Sequence, residues 1–136
     1  MKKSIIILFA ALVSAISFTA FKADSNAKVI AIVNKADWCS ICKAYAGRTV
    51  ATFTENNADN YFQFIVNDIT NEETKKASKP AITKVGLEKT LAGSLAAGVL
   101  SFYDAKTKVL LAQVTVANSA EEVAATMKMV RGKASK

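Results

Sequence analysis

Two cysteines separated by two residues have the most evident chemistry in this sequence. Cys39 and Cys42 lie in the run ADWCSICK over residues 36–43, and they are the only cysteines of the 136-residue chain. A thiolate is the nucleophile in thiol–disulfide exchange, and a second thiol three residues away can attack the mixed disulfide and release the product. The spacing therefore predicts a pair that cycles between a dithiol and a disulfide.

The position of Cys39 favours a reactive thiolate. The apolar, β-branched residues 28–33 predict a buried strand, and after a short turn a helix is expected to begin near Cys39. Free N–H groups and the macrodipole at a helix N-terminus favour an anion and so lower a thiol pKa. We expect the positive charges of Lys35 and Lys43 to tune the pKa of the pair. Trp38 is expected to shield the cysteines and to offer an apolar surface to a substrate.

The composition removes several other kinds of chemistry. The chain has no histidine, which excludes a Ser-His-Asp triad, a Cys-His nucleophile, a histidine-liganded zinc site and haem attachment through C-x-x-C-H. Two cysteines cannot complete a four-ligand structural zinc site within one molecule. We therefore expect no metal and no cofactor besides the redox-active Cys39–Cys42 disulfide itself.

The first 23 residues have the pattern of a targeting segment. Lys2 and Lys3 precede an uncharged, mostly apolar run over residues 4–21, which is typical of a secretory signal peptide. A retained N-terminal membrane anchor is the alternative, because the run has about the minimum length for a span. Both interpretations predict export to the periplasm or cell envelope, where disulfides form and persist.

The net charge does not favour a nucleic-acid partner. Three of the 18 basic residues lie in the first 23, and the other 15 face 11 acidic residues, so the charge falls from +7 to +4. The chain has two basic clusters, one of Lys75, Lys76 and Lys79 and one of Arg131, Lys133 and Lys136. Neither cluster has aromatic residues between its members. Such clusters favour solvent-facing surfaces over a nucleic-acid interface. We expect protein disulfides as substrates and a monomer in solution.

Residues 24–136 are expected to form one domain, with a strand–helix–strand unit first. A second strand is predicted over residues 62–66. Thr70 and Glu73 fit a capping box that opens a second helix, and Pro80 is expected to break or kink it. The first helix is expected to bury one side, consisting of Cys42, Ala46, Val50 and Phe53.

The second half of the domain predicts a hairpin and a final helix. The strands expected over residues 99–103 and 109–116 are joined by a connection short enough to require an antiparallel hairpin. The preceding stretch 86–98 is expected to be mostly irregular. Ser119 and Glu122 fit a second capping box. The last helix is expected to bury Ala120, Val123, Met127 and Val130 and to end near Gly132.

The element order β-α-β-α-β-β-α predicts an α/β fold of three layers, α/β/α, whose first two strands are parallel with a right-handed crossover. With W-C-x-x-C after the first strand, this order resembles the thioredoxin superfamily and implies a thioredoxin-like fold. The resemblance extends over about residues 28–131. Four motifs are similar to the C-terminal thioredoxin-like domain of DsbD-type thiol:disulfide interchange proteins: ADWC at 36–39, CK at 42–43, VNDIT at 66–70 and FYDAK at 102–106.

The resemblance implies roles for residues around the cysteines. Cys39 would be the attacking thiol and Cys42 the resolving one, with Ala97 and Gly98 contacting the substrate. It also implies protein disulfides or dithiols as substrates and a membrane thiol reductase as electron donor. The sequence departs from the family at two positions. Val33 replaces a buried acid six residues before the first cysteine, and Gly98 replaces the family's cis-proline.

Three other interpretations of the cysteine pair stay open at this point. The first is an inert structural disulfide, although a bridge over two residues closes a very small loop and limits little chain entropy. The second is a Cu(I) site, because soft thiolates select Cu(I) and it needs fewer ligands than zinc. The third is a thioredoxin-like interaction module without catalytic activity.

Overall fold

A computed structural model describes residues 26–93 and 96–136. The predicted targeting segment, residues 1–23, lies outside the described residues. Within the described part, no helix is long and apolar enough to cross a membrane.

The described residues contain one four-stranded mixed sheet with the order β2-β1-β3-β4. Its strands are β1 (Val29–Lys35), β2 (Phe62–Asp68), β3 (Val99–Asp104) and β4 (Leu110–Thr115). β1 pairs with β2 in parallel, and the β1–β3 and β3–β4 pairs are antiparallel. The predicted parallel pair and the predicted hairpin are both confirmed.

Within residues 26–93 and 96–136, four helices accompany the sheet: α1 (Ser40–Glu55), α2 (Glu72–Lys84), the single turn α3 (Glu88–Leu91) and α4 (Ala120–Lys133). α1 contacts α4 on one face of the sheet, and α2 covers the other face beside β2 and α3. α3 lies in the stretch predicted to be irregular. The predicted three-layer α/β/α arrangement is confirmed.

β1 is buried on both faces, and this explains its continuous run of apolar residues. Val29, Ala31 and Val33 point into a core shared with α1 and α4. Ile30 and Ile32 point into a second core, shared with α2 and α3. β1 is therefore the central strand from which the chain reaches the cysteine pair.

The start and the middle of α2 differ from the prediction. Its N-cap is Asn71, which forms the capping box with Thr74, so the predicted pair of Thr70 and Glu73 was wrong by one residue. Pro80 lies inside α2, which continues to Lys84. Pro80 has no N–H to donate to the carbonyl of Lys76. Both residues are exposed, so water can donate to that carbonyl instead.

The buried sides of α1 and α4 were predicted in part. Thr49 and Thr52 are buried beside Cys42 and Phe53, whereas Val50 is 39% exposed. Thr49 can be buried because its hydroxyl donates to the carbonyls of Tyr45 and Val116. α4 has the predicted capping box and buries Val123, Met127 and Val130, but it continues through Gly132 to a C-cap at Ala134.

Candidate dithiol site

Cys39 and Cys42 lie where β1 is connected to α1. Cys39 is the N-cap of α1, and its extended backbone (φ −85°, ψ 107°) lets its Sγ accept the backbone N–H of Cys42 at 3.2 Å. The two residues form a disulfide with Cα atoms 5.3 Å apart. A sulfur in the N-cap position is directed at the positive end of the helix, which favours a thiolate when the bridge is reduced.

Both sulfur-bearing residues are recessed. Cys39 is 7% and Cys42 5% exposed. They form a small apolar cluster with Ala36 and Ile69, against which Ala97 packs. Little of either residue is exposed, so a substrate must reach the sulfur of Cys39 between the side chains around it.

Trp38 is at the surface beside the pair, with 63% of its side chain exposed. Its Nε1 donates to the carbonyl of Thr70 at 3.2 Å, and the backbone N–H of Asp37 donates to Oγ1 of Thr70 at 3.0 Å. These bonds join the turn after β1 to the turn after β2. The ring is therefore held in place while its apolar area stays open to a partner.

Lys35 does not act as a free positive charge. Its Nζ is 3.1 Å from Oδ1 of Asp37 and 3.1 Å from Oδ2 of Asp68. These hydrogen bonds raise the pKa of Lys35, and they place one cation between two carboxylates. Burial raises the pKa of Asp68, but hydrogen bonds from Thr70 and Lys35 outweigh it and the net shift is downward. The group carries a net negative charge, which opposes the field expected from Lys35 alone.

Lys43 occupies the first turn of α1, next to Cys42. Its side chain is exposed, and its backbone N–H donates to the carbonyl of Cys39 at 3.2 Å. The tuning role predicted for Lys43 and Lys35 stays a prediction.

Ala97 and Gly98 lie against the cysteines from the other side of the site. Gly98 is buried with φ +80°, a conformation that L side chains rarely adopt. Its N–H donates to the carbonyl of Asn34 at 2.7 Å, and its carbonyl accepts the N–H of Val116 at 2.8 Å. The structure therefore brings these two residues to the pair, and their predicted contact with substrate stays a prediction.

A pair of buried asparagines supports the segment that contains Ala96, Ala97 and Gly98. This pair was not predicted from the sequence. Asn34 and Asn67 are aligned on β1 and β2, and Nδ2 of Asn67 donates to Oδ1 of Asn34 at 2.9 Å. Nδ2 of Asn34 donates to the carbonyl of Ala96 at 3.3 Å. A polar residue at the end of each strand was visible in the sequence, but the strand register was needed to pair them.

A cavity of about 430 Å³ lies beside Cys42, on the α1 side of the sheet. Its lining is mostly apolar and includes Val33, where the resembling family has a buried acid. Asp68 and Lys35 line it as well, so the charged pair faces the same space as Cys42. Sequence reasoning did not place Asp68 near the cysteines, because only the parallel register puts it opposite Lys35.

In the described part of the chain, no three metal-binding side chains of the His, Cys, Asp or Glu type lie close together.

Solved structures that are similar to this chain share less than a fifth of its sequence. No protein-family model and no curated protein matches the sequence. Among solved structures, Trxlp from Edwardsiella tarda EIB202 is 19% identical and matches over 74% of this chain and 82% of its own, with a TM-score of 0.48. The thioredoxin of Malassezia sympodialis is 18% identical over 76% of this chain and 78% of its own, also with a TM-score of 0.48.

A third solved structure has the higher TM-score. DsbH oxidoreductase is 17% identical and matches over 77% of this chain and 74% of its own, with a TM-score of 0.52. The likeness agrees with the sheet order and the strand directions described above. This chain therefore has a thioredoxin-like fold, with its Cys39–Cys42 disulfide at the junction of β1 and α1.

Proposed function

We propose that this protein is a thiol–disulfide oxidoreductase that reduces or exchanges protein disulfides through Cys39 and Cys42. One observation carries the proposal. The sulfur of Cys39 caps α1 within hydrogen-bonding distance of the Cys42 N–H, and the two residues are joined as a disulfide. This arrangement provides an activated nucleophile and a resolving thiol in one helical turn.

The reaction begins with the reduced pair. The Cys39 thiolate attacks one sulfur of a substrate disulfide, whose S–S bond breaks, and the other substrate sulfur leaves as a thiolate. The N-terminus of α1 stabilises the attacking anion. The product of this step is a mixed disulfide between Cys39 and the substrate.

The second step releases the substrate. The Cys42 thiol gives its proton to solvent, and the resulting thiolate attacks Sγ of Cys39. The departing substrate sulfur leaves as a thiolate, which takes up a proton from solvent. The mixed disulfide breaks, the substrate leaves with its second thiol, and the Cys39–Cys42 bridge forms. Two electrons have passed to the substrate, and an external thiol reductant must return them.

We further propose that the protein works outside the cytoplasm, with residues 1–23 as its export signal. A disulfide persists in that setting without continuous reduction. The resemblance of motifs such as VNDIT at 66–70 to DsbD-type domains supports a membrane thiol reductase as the electron donor. We propose that the protein acts as a monomer on protein substrates and without nucleic acid.

The test is a redox titration combined with cysteine replacement. Against dithiothreitol and glutathione, thiol trapping of the purified protein is expected to give a two-electron couple between about −120 and −270 mV. Cys39→Ser is expected to abolish insulin reduction, and Cys42→Ser to accumulate a mixed disulfide. Ser40→Ala, which changes an exposed residue between the cysteines, is the control and is expected to keep activity.

Other results would overturn this proposal. A pair that stays oxidised far below about −300 mV would indicate a structural disulfide. Retention of about one Cu(I) per monomer by the reduced protein, lost in either cysteine variant, would indicate a copper site. Unchanged insulin reduction by Cys39→Ser would remove the assigned nucleophile.

A further inference from the structure

The side chain of Ile41 occupies the space beside Gly98 in which any other residue at position 98 would place its Cβ. A Cβ placed on Gly98 would lie 2.6 Å from Cδ1 and 3.0 Å from Cγ1 of Ile41. The same Cβ would lie 3.6 Å from Sγ of Cys39. The end of the Ile41 side chain and the sulfur of Cys39 therefore lie close together, on the same side of Gly98.

The backbones on both sides of this contact are held in place. Ile41 belongs to the first turn of α1, so its backbone is held by the helix that Cys39 caps. Gly98 is held by hydrogen bonds to Asn34 and Val116 at 2.7 and 2.8 Å. Asn34 also holds the carbonyl of Ala96. Hydrogen bonds on one side and a helix on the other therefore position the two backbones that border the approach to Cys39.

Two exposed apolar side chains border that approach. Cys39 is 7% exposed, whereas Ile41 and Trp38 beside it are 37% and 63% exposed. A substrate that places an apolar side chain on these two residues removes apolar area from water, which favours its binding. A small charged disulfide gains nothing from that surface and must still pass the isoleucine to reach the sulfur.

We propose that Ile41 is a selectivity gate for the dithiol, favouring protein disulfides flanked by apolar residues and disfavouring small charged disulfides such as glutathione disulfide. The inference rests on the proposed function and assigns its substrate class. The exchange reaction is the same as in the proposed function. The Cys39 thiolate displaces one substrate sulfur as a thiolate, and Cys42 then displaces the other, so the protein dithiol is oxidised as the substrate disulfide is reduced.

The test compares two substrates for each variant. Rate constants are measured with glutathione disulfide and with a peptide disulfide flanked by Leu and Phe, using dithiothreitol-reduced protein. Ile41→Ala is expected to raise the glutathione rate constant and lower the peptide one, changing their ratio by about tenfold. A change in reduction potential alone would move both rate constants together and leave the ratio unchanged.

Two further variants make the result specific. Ile41→Val keeps a branched side chain against Gly98 and is expected to hold the ratio within about twofold of wild type. Met129→Ala removes a comparably exposed apolar side chain from α4 and is the matched control. It is expected to leave the ratio unchanged.

The outcomes separate the gate from the proposed function. An unchanged ratio in Ile41→Ala, with wild-type protein reducing both substrates, would overturn the gate and leave the oxidoreductase standing. No exchange with either disulfide by the wild-type protein would overturn the proposed function and the gate with it. An equal change in Met129→Ala would show that general loss of apolar surface, and not the contact with Gly98, sets the ratio.

Discussion

Lys35 lies between Asp37 and Asp68, and this changes the field that it can exert on the dithiol. A lysine beside a thiol ordinarily favours the thiolate. Here both carboxylates lie 3.1 Å from the Lys35 ammonium, and Asp68 lines the cavity beside Cys42. The three groups together carry one negative charge, so they oppose the stabilisation of a thiolate by the N-terminus of α1.

Two single substitutions in this group are expected to act in opposite directions. Asp68→Asn removes a negative charge near the pair and is expected to raise the rate of iodoacetamide alkylation of the reduced protein about threefold at pH 7. Lys35→Met leaves two unpaired carboxylates and is expected to lower that rate by a similar factor. The measurement is the rate of alkylation of the reduced protein, followed over time by mass spectrometry.

A control separates this charge effect from a structural one. Glu72→Gln removes an exposed carboxylate that is paired with Lys75, on α2, and is expected to leave the rate unchanged. Shifts of the same sign in Asp68→Asn and Lys35→Met would contradict the electrostatic explanation, because opposite charges cannot produce them.

At the scale of elements, Asp104 joins the end of β3 to the tail that follows α4. It is buried, and its Oδ1 accepts the backbone N–H groups of Lys106 and Thr107 at 2.9 and 2.7 Å. Its Oδ2 accepts the N–H of Ser135 at 2.6 Å. The hydrogen bonds from Ser135 and Thr107 hold the pKa of Asp104 well below its ordinary value. One carboxylate therefore closes the hairpin turn and anchors the chain terminus.

Removal of this carboxylate is expected to destabilise the fold without changing the dithiol chemistry. Asp104→Ala removes the charged acceptor of three backbone N–H groups, and we expect the free energy of unfolding to fall by about 2–3 kcal/mol. Urea denaturation followed by tryptophan fluorescence measures it. Lys106→Ala keeps the backbone N–H that Asp104 binds and is expected to change stability by less than about 0.5 kcal/mol. Equal stability of Asp104→Ala and wild type would contradict the anchoring role.

At the scale of the whole molecule, Arg131 connects the last helix to the loop between α1 and β2. Its two terminal nitrogens bind the carboxylate of Asp59 at 2.7 and 2.8 Å, and one also donates to the carbonyl of Asn56 at 3.1 Å. The guanidinium also lies 4.5 Å from the centre of the Tyr61 ring. A bidentate ion pair with a stacked ring thus joins segments that are far apart in the sequence.

The ion pair predicts a loss of stability in acid. The hydrogen bond from Arg131 lowers the pKa of Asp59 from 3.8 to about 2. Because the folded pKa lies below the unfolded one, the stabilisation is present above pH 3.8 and is lost as the pH falls towards 2. The Asp59 side chain is 59% exposed, so solvent screening limits the effect to about 1 kcal/mol or less.

The measurement is urea unfolding of wild type and Asp59→Asn at pH 6 and pH 2. We expect the variant to be less stable at pH 6 and the difference to vanish at pH 2. Glu72→Gln, which removes another exposed ion pair, is expected to show a smaller difference at pH 6. A difference between wild type and Asp59→Asn that stays constant with pH would exclude the charge of Asp59 as its cause.

The sequence by itself determined the order of the strands and of the three long helices and the position of the cysteine pair, but not the single turn α3. Hydrophobic patterns in β1 and α4, the capping box at Ser119 and the short connection after β3 are local features, and the structure confirms all of them. Pro80 does not break α2, because the carbonyl of Lys76 that lacks a helical donor is on an exposed residue and can bond to water. The targeting role of residues 1–23 stays a prediction, since these residues lie outside the described part of the chain.

Only the tertiary structure decided what surrounds the dithiol. Asp68 reaches Lys35 through the parallel register of β1 and β2, and Ile41 meets Gly98 because β3 returns beside β1. These contacts join residues that are distant in the chain, and a shift of one residue in the register of β1 and β2 would turn the Asp68 side chain to the other face of the sheet. A single sequence carries the identities of such residues but not the register that brings them together.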